Sequence, residues 1–171
     1  MDTFFEQIVP MGKDSKTILK LIGIWILAFV LASAIFLFGF AYLQMVTFVL
    51  MGLVLYGAYK LSAMLYVEYE YIVTNGTLDI DKIIAKSSRK RVASFEISQV
   101  EVVEKYNPNA QKTGFDQIIV ACDENDVGAY KMVVRKDGKG TMLIVFAPNK
   151  KIQGAILKSL PRFVANSAFR D

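Results

Sequence analysis

The chain has 171 residues, a net charge of +4 and a hydrophobic fraction of 54%, above the roughly 45–50% of ordinary globular chains. Its charges are too mixed in sign for a nucleic-acid binder, which gathers basic residues on one face, so no nucleic-acid partner is expected. With no His and a single Cys, the commonest general base, the commonest metal ligand and any intrachain disulfide are excluded.

Residues 1–17 read as an N-terminal segment on the cytoplasmic side, with Asp2, Glu6 and Asp14 among its charges. Between Lys20 and Glu68 the only charged residue is Lys60. A helix needs about 20 apolar residues to cross the hydrocarbon core. Ile18 to Phe40 meets that, and Tyr42 to Tyr59 supplies a second span that reaches Tyr66 if Lys60 snorkels. Residues 18–67 are therefore expected to be two transmembrane helices turning at Gly39 to Gln44. Tyr56, Tyr59 and Tyr66 cluster where aromatic side chains favour the membrane interface. Lys13, Lys16 and Lys20 precede the first span, Lys60 and a basic segment end the second, and the turn has no Lys or Arg. The positive-inside rule then places both termini in the cytoplasm, in the cell membrane.

A cleaved signal peptide is one rival reading, since Lys20, the apolar run and Ala32-Ser33-Ala34 mimic its three parts. The long acidic leader and the apolar run past Ala34 weigh against it. A buried soluble hairpin is the other, and the lack of a polar face weighs against that. Ala28 with Ala32, and Gly52 with Gly57, are small residues at which the two helices could approach closely.

Residues 68–171 change period to two and read as a separate β-rich domain. Tyr69 to Thr74 is a strand, Asn75-Gly76 a tight hairpin turn, and Thr77 to Asp81 the returning strand with Leu78 and Ile80 inward. A basic turn, Ser87 to Arg91, leads to strands expected at Val92–Ile97, Val100–Tyr106, Gln117–Cys122, Ala129–Arg135 and Met142–Ala147, with Asp137-Gly138 turning into the last. Ile118, Val120 and Cys122 are expected to share a face. Asn149 is placed to N-cap a helix presenting Ile152, Ile156, Leu160, Phe163 and Val164 on one side, with Pro161 ending or kinking it. The fold class expected is a membrane α-helical hairpin followed by a mainly-β barrel of about seven antiparallel strands closed by a C-terminal helix.

This order of elements, the run Tyr71-Ile72-Val73-Thr74-Asn75-Gly76-Thr77-Leu78 and the segment Phe95-Glu96-Ile97-Ser98-Gln99-Val100 resemble the bacterial pleckstrin-homology-like (PH-like) membrane proteins. The resemblance covers about residues 18–165 and implies a fold and a membrane location, not an activity.

The densest basic cluster is Lys86, Arg89, Lys90 and Arg91, a candidate contact for anionic lipid headgroups or for a protein partner. Asp123, Glu124 and Asp126 lack EF-hand spacing, Gly138 and Gly140 flank Lys139 without a Walker pattern, and Cys122 reads as a small buried hydrophobe. No catalytic residue, metal ligand or cofactor is expected. Transport is disfavoured because Lys60 and Gln44, the strongly polar residues of the spans, sit near their ends. The expected role is a non-enzymatic, membrane-anchored interaction module that binds the bilayer and an unknown protein partner or its own copies. The alternatives are an anionic-lipid sensor and an accessory subunit of a membrane enzyme or transporter.

Overall fold

The computed structural model describes residues 4–12, 14–110, 113–136 and 140–170. Lys13 of the positive-inside argument, the Asp137-Gly138 turn and Lys139 lie outside the described residues, as does Asp2. Two compact units emerge. One comprises residues 1–12, 68–83 and 87–171; the other comprises residues 13–67 and 84–86.

The helical unit is a hairpin of α1 (Ser15–Leu43) and α2 (Met45–Met64). Both are long and apolar enough to cross a membrane. Large apolar side chains such as Phe29, Leu37 and Phe38 point away from the protein, each more than 70% exposed. The turn is shorter than the expected Gly39 to Gln44: helix persists through Leu43, and Gln44 alone breaks it, with a φ of 35°. Small residues form the seam. Ala28, Ala32 and Ala58 are buried, and at Gly39 an added Cβ would stand 2.9 Å from the hydroxyl of Thr47. Gly52 and Gly57 face open space instead.

The β unit holds two four-stranded sheets among the described residues. The first runs β1 (Phe4–Pro10), β2 (Val67–Thr74), β3 (Thr77–Ile84), β4 (Ser88–Glu96), in that spatial order. A 3₁₀ turn, Ile97–Gln99, leads to the second, built from β5 (Val100–Lys105), β6 (Gln117–Val120), β7 (Tyr130–Lys136) and β8 (Gly140–Phe146) in the order β5-β7-β8-β6. The expected closed barrel of antiparallel strands is not formed: β4 and β5 do not pair, and β6 lies parallel to β8. β5 and β6 run in the same direction with β7 and β8 between them, and the polar loop after β5 supplies the crossover that such a connection needs. Asp116 anchors the entry to β6, accepting from the Thr141 backbone N–H at 2.7 Å.

β1 has no counterpart in the periodicity reading. It pairs antiparallel with β2 over its whole length, from Phe4 opposite Thr74 to Pro10 opposite Glu68. The helical hairpin is thus inserted between two neighbouring strands of one sheet.

The core lies between the sheets. Tyr71, Leu78, Ile80, Met132, Ile144 and Phe146 are fully buried. The Tyr71 hydroxyl donates to the Ala121 carbonyl at 2.7 Å and accepts from the Ala147 N–H at 3.2 Å, joining the two sheets. Asn75 and Gly76, at φ 47° and 86°, make the tight turn that Asn-Gly favours. On β6 the expected face is inverted: Ile119 is buried and Ile118 is 42% exposed. The strand ends at Val120, so alternation does not reach Cys122, which is nevertheless buried.

Asn149 caps α3 (Lys150–Ser159), its side chain accepting from the Ile152 N–H at 2.9 Å. α3 packs against β1 and the 3₁₀ turn, with Ile152 and Ile156 fully buried. The chain leaves the helix at Leu160, before Pro161, and resumes as the short α4 (Arg162–Ala165). That break turns Phe163 outward to 72% exposure while Val164 stays buried.

Candidate functional site

The four cations singled out from the sequence do not form one basic turn. The turn proper is Ala85-Lys86, with φ of 54° and 57°, and Arg89, Lys90 and Arg91 already belong to β4. β-Strand alternation sends Arg89 and Arg91 to one face and Lys90 to the other. Lys86 groups with the helical unit and the other three with the β unit.

Both arginines are committed within their own sheet. Arg89 Nη1 lies 2.9 Å from Glu70 Oε2. Arg91 reaches Asp79 Oδ2 at 3.0 Å and donates from Nε to Asp81 Oδ1 at 2.9 Å. The Asp81 hydrogen bond, first, and the nearby Asp79 and Asp81 charges raise the Arg91 pKa. This pairing follows from sequence spacing: Asp79 and Asp81 alternate on β3, Arg89 and Arg91 alternate on β4, and the hairpin sets these like-facing residues opposite one another. The cluster reading counted the positive charges without their partners on the two preceding strands.

Glu70 is the unusual member. Its side chain is fully buried on β2, and apart from the Arg89 ion pair its oxygens have no hydrogen-bond partner among the described residues. Burial, first, and the neighbouring Glu6 carboxyl push its pKa above the usual carboxylate range, while Arg89 opposes them. The signal for this site was a Glu alternating with tyrosines on a β-prone run, Tyr69-Glu70-Tyr71, but its Glu6 neighbour required β1 to be recognised as a strand.

The other candidates have structural employment. Asp123 Oδ1 accepts from the Asn125 N–H and Asp126 Oδ1 from the Gly128 N–H, so both close local turns. No metal-holding group occurs among the described residues. Cys122 packs with Ala129 and Val145, and burial pushes its thiol up to about 12. Lys60 sits 5.6 Å over the Tyr56 ring, a cation–π contact near the end of α2.

A cavity of about 580 Å³ opens in the helical unit, lined by Leu21 and Trp25 of α1, Tyr59, Ser62 and Ala63 of α2, then Tyr66, Ala85 and Lys86. The Ala85 N–H donates to the Tyr66 carbonyl at 2.9 Å, which fixes the Ala85-Lys86 turn against the end of α2. Two grooves lined by α1 follow it.

Comparison with curated proteins and with solved structures gave no match. Residues 1–166 match the model of a family described as Bacterial PH-like domain (DUF6106). That span takes in β1, both helices, both sheets and α3 together, and the chain is a member of this bacterial PH-like domain family.

Proposed function

We infer that the chain is a two-pass, membrane-anchored PH-like interaction module, non-catalytic, with its β unit on the cytoplasmic side. The observation that carries the reading is the position of the hairpin between β1 and β2. Those strands pair over seven residues, so the chain that leaves the sheet at Pro10 must return to it at Val67. In a bilayer, two crossings meet that demand and one does not. Cleavage within α1, as in a signal sequence, would also remove β1 and bare the edge of β2. The lysines flanking the helical pair support that sidedness.

The module reading also draws on where the reactive side chains lie. Cys122 is sealed in the core with a raised pKa, and Glu70, Asp79 and Asp81 are engaged with arginines. What the β unit offers a partner is surface, with Val127 and Phe163 among its exposed apolar side chains. The partner expected is a protein or a second copy of the chain.

The topology is tested by labelling intact cells with a membrane-impermeant thiol reagent, using Tyr42→Cys and Lys90→Cys. Tyr42 lies at the tip between the helices and is 88% exposed. Labelling at position 42 from outside, and at position 90 only after permeabilisation, is expected. The reverse pattern, or both sites labelled from outside, overturns the reading.

A further inference from the structure

We propose that the cavity beside Lys86 is a binding site for one anionic glycerophospholipid, with its phosphate at Lys86 and an acyl chain running down α1. The proposal rests on the two-span reading and adds the ligand class and the residues that take it.

The polar end is built from two elements. Lys86 is exposed, belongs to the helical unit and has no ion pair among the described residues, unlike Arg89 and Arg91. Its backbone is left-handed, at φ 57°, as is that of Ala85. Side chains other than those of Gly, Asn and Asp rarely occupy that region. The sequence uses Asn-Gly at the other hairpin turn and a lysine here, and the Tyr66 carbonyl holds the turn in place. Ser62 also lines the cavity. It is 7% exposed, and its hydroxyl has no hydrogen-bond partner, leaving a donor that the protein does not satisfy. Tyr59, Tyr66 and Trp25 complete the rim with the residue types that sit at headgroup level.

The apolar end is a continuous track. Leu21 and Trp25 are shared between the cavity and a groove formed with Ile22, Ile26 and Phe29. Trp25 and Phe29 are shared in turn with a second groove that passes Ala32 and Phe36 and touches Met51 and Leu55 of α2. From Trp25 to Phe36 this track descends about 16 Å at 1.5 Å per residue, close to half of a roughly 30 Å hydrocarbon core. A cationic mouth at the interface above an apolar track one leaflet deep matches one phospholipid better than a peptide, whose backbone would go unpaired in the groove.

Trp25 is the only Trp in the chain and lines the cavity and both grooves, so its fluorescence reports on the site directly. The full chain is reconstituted in phosphatidylcholine vesicles and titrated with lipid brominated on its acyl chains, either phosphatidylglycerol or phosphatidylcholine. Half-maximal quenching is expected at an about fivefold lower mole fraction of the phosphatidylglycerol, equivalent to about 1 kcal/mol. Lys86→Gln should bring the two lipids to parity, whereas Lys86→Arg and Lys90→Gln should keep the preference. Equal quenching by both lipids in the wild type overturns the site. So does a loss of preference in Lys90→Gln as large as in Lys86→Gln, which would indicate a diffuse basic field. Vesicles that retain the protein through an alkaline wash, yet show no quenching by either lipid, mean that a second copy covers the track, and also overturn it. Protein stripped off by the wash overturns the two-span reading and the lipid site with it.

Discussion

Gln7 holds the backbone on both sides of Pro148: its side-chain Nε2 donates to the Ala147 carbonyl at 3.0 Å, and its Oε1 accepts from the Asn149 N–H at 2.8 Å. One amide near the N-terminus thereby ties the edge strand β1 to the end of β8, just where Asn149 begins α3. The two contacts span 140 and 142 positions of sequence.

Gln7→Leu removes both bonds and leaves a donor and an acceptor without partners. Each lost hydrogen bond is worth about 1 kcal/mol net. A lower melting temperature is expected for the full chain in detergent, with Cys122 as the reporter, since its buried thiol reacts with a thiol-specific dye only when the β unit opens. An unchanged dye-uptake curve would mean that β1 is not fastened by this residue.

Ile156→Ala deletes a fully buried side chain of α3, a change that typically costs about 2–5 kcal/mol. Phe163→Ala, at a side chain 72% exposed, should move stability by no more than about 0.5 kcal/mol. The same thiol-uptake melt compares them. Equal effects would place Phe163 in the core and contradict the break at Pro161.

Glu70 gives the fold a defined pH response. Its pKa is raised, so between its unfolded value, near 4.5, and its higher folded value the native state binds the additional proton. Stability contributed by this group is therefore complete below the unfolded value and is lost as pH rises through the folded one. Glu70→Gln keeps the neutral shape and should flatten that slope. Arg89→Ala should steepen it, because the opposing positive charge is removed. Circular-dichroism melts of the three proteins across mildly acidic to neutral pH read the difference, and parallel curves for wild type and Glu70→Gln would contradict the assignment.

Gly39→Leu tests the helical seam. A side chain there collides with Thr47 on α2, whereas Gly52→Leu projects into open space. Energy transfer between dyes at the two helix ends should fall for the first variant and stay constant for the second. Equal behaviour would show that the hairpin does not close at Gly39.

The elements with strong local signatures were legible in the sequence: two long apolar helices, the Asn75-Gly76 hairpin, the inward Leu78 and Ile80, and the Asn149 cap. Periodicity missed what depends on partners far along the chain. β1 reads Phe4-Phe5-Glu6-Gln7-Ile8-Val9, an edge strand with one face exposed and the other half-buried, and its sequence has no clean alternation to announce it. The parallel placement of β6 is set by its pairing with β8, further along the chain, which leaves no local mark. The basic cluster was visible as charge but not as geometry. Its arginines are spoken for by carboxylates that only the β2-β3-β4 arrangement brings near, and the remaining exposed lysines fall in different units.

The bracketing of the hairpin by β1 and β2 has a consequence for synthesis. β1 leaves the ribosome before β2 and has no strand neighbour until about sixty further residues have been made. During that interval it is a bare edge strand, and its exposed Phe4 and Ile8 are the kind of surface that chaperones and unrelated strand edges bind. The sheet becomes complete only when β2 emerges on the same side as the waiting strand. On the two-pass reading proposed above, a nascent chain whose second helix failed to turn back would strand the two halves on opposite faces of the bilayer, leaving the β unit unfinished and open to proteolysis. On that reading, correct insertion and completion of the sheet are one event, and the folded β unit is itself a record that the helices were threaded properly.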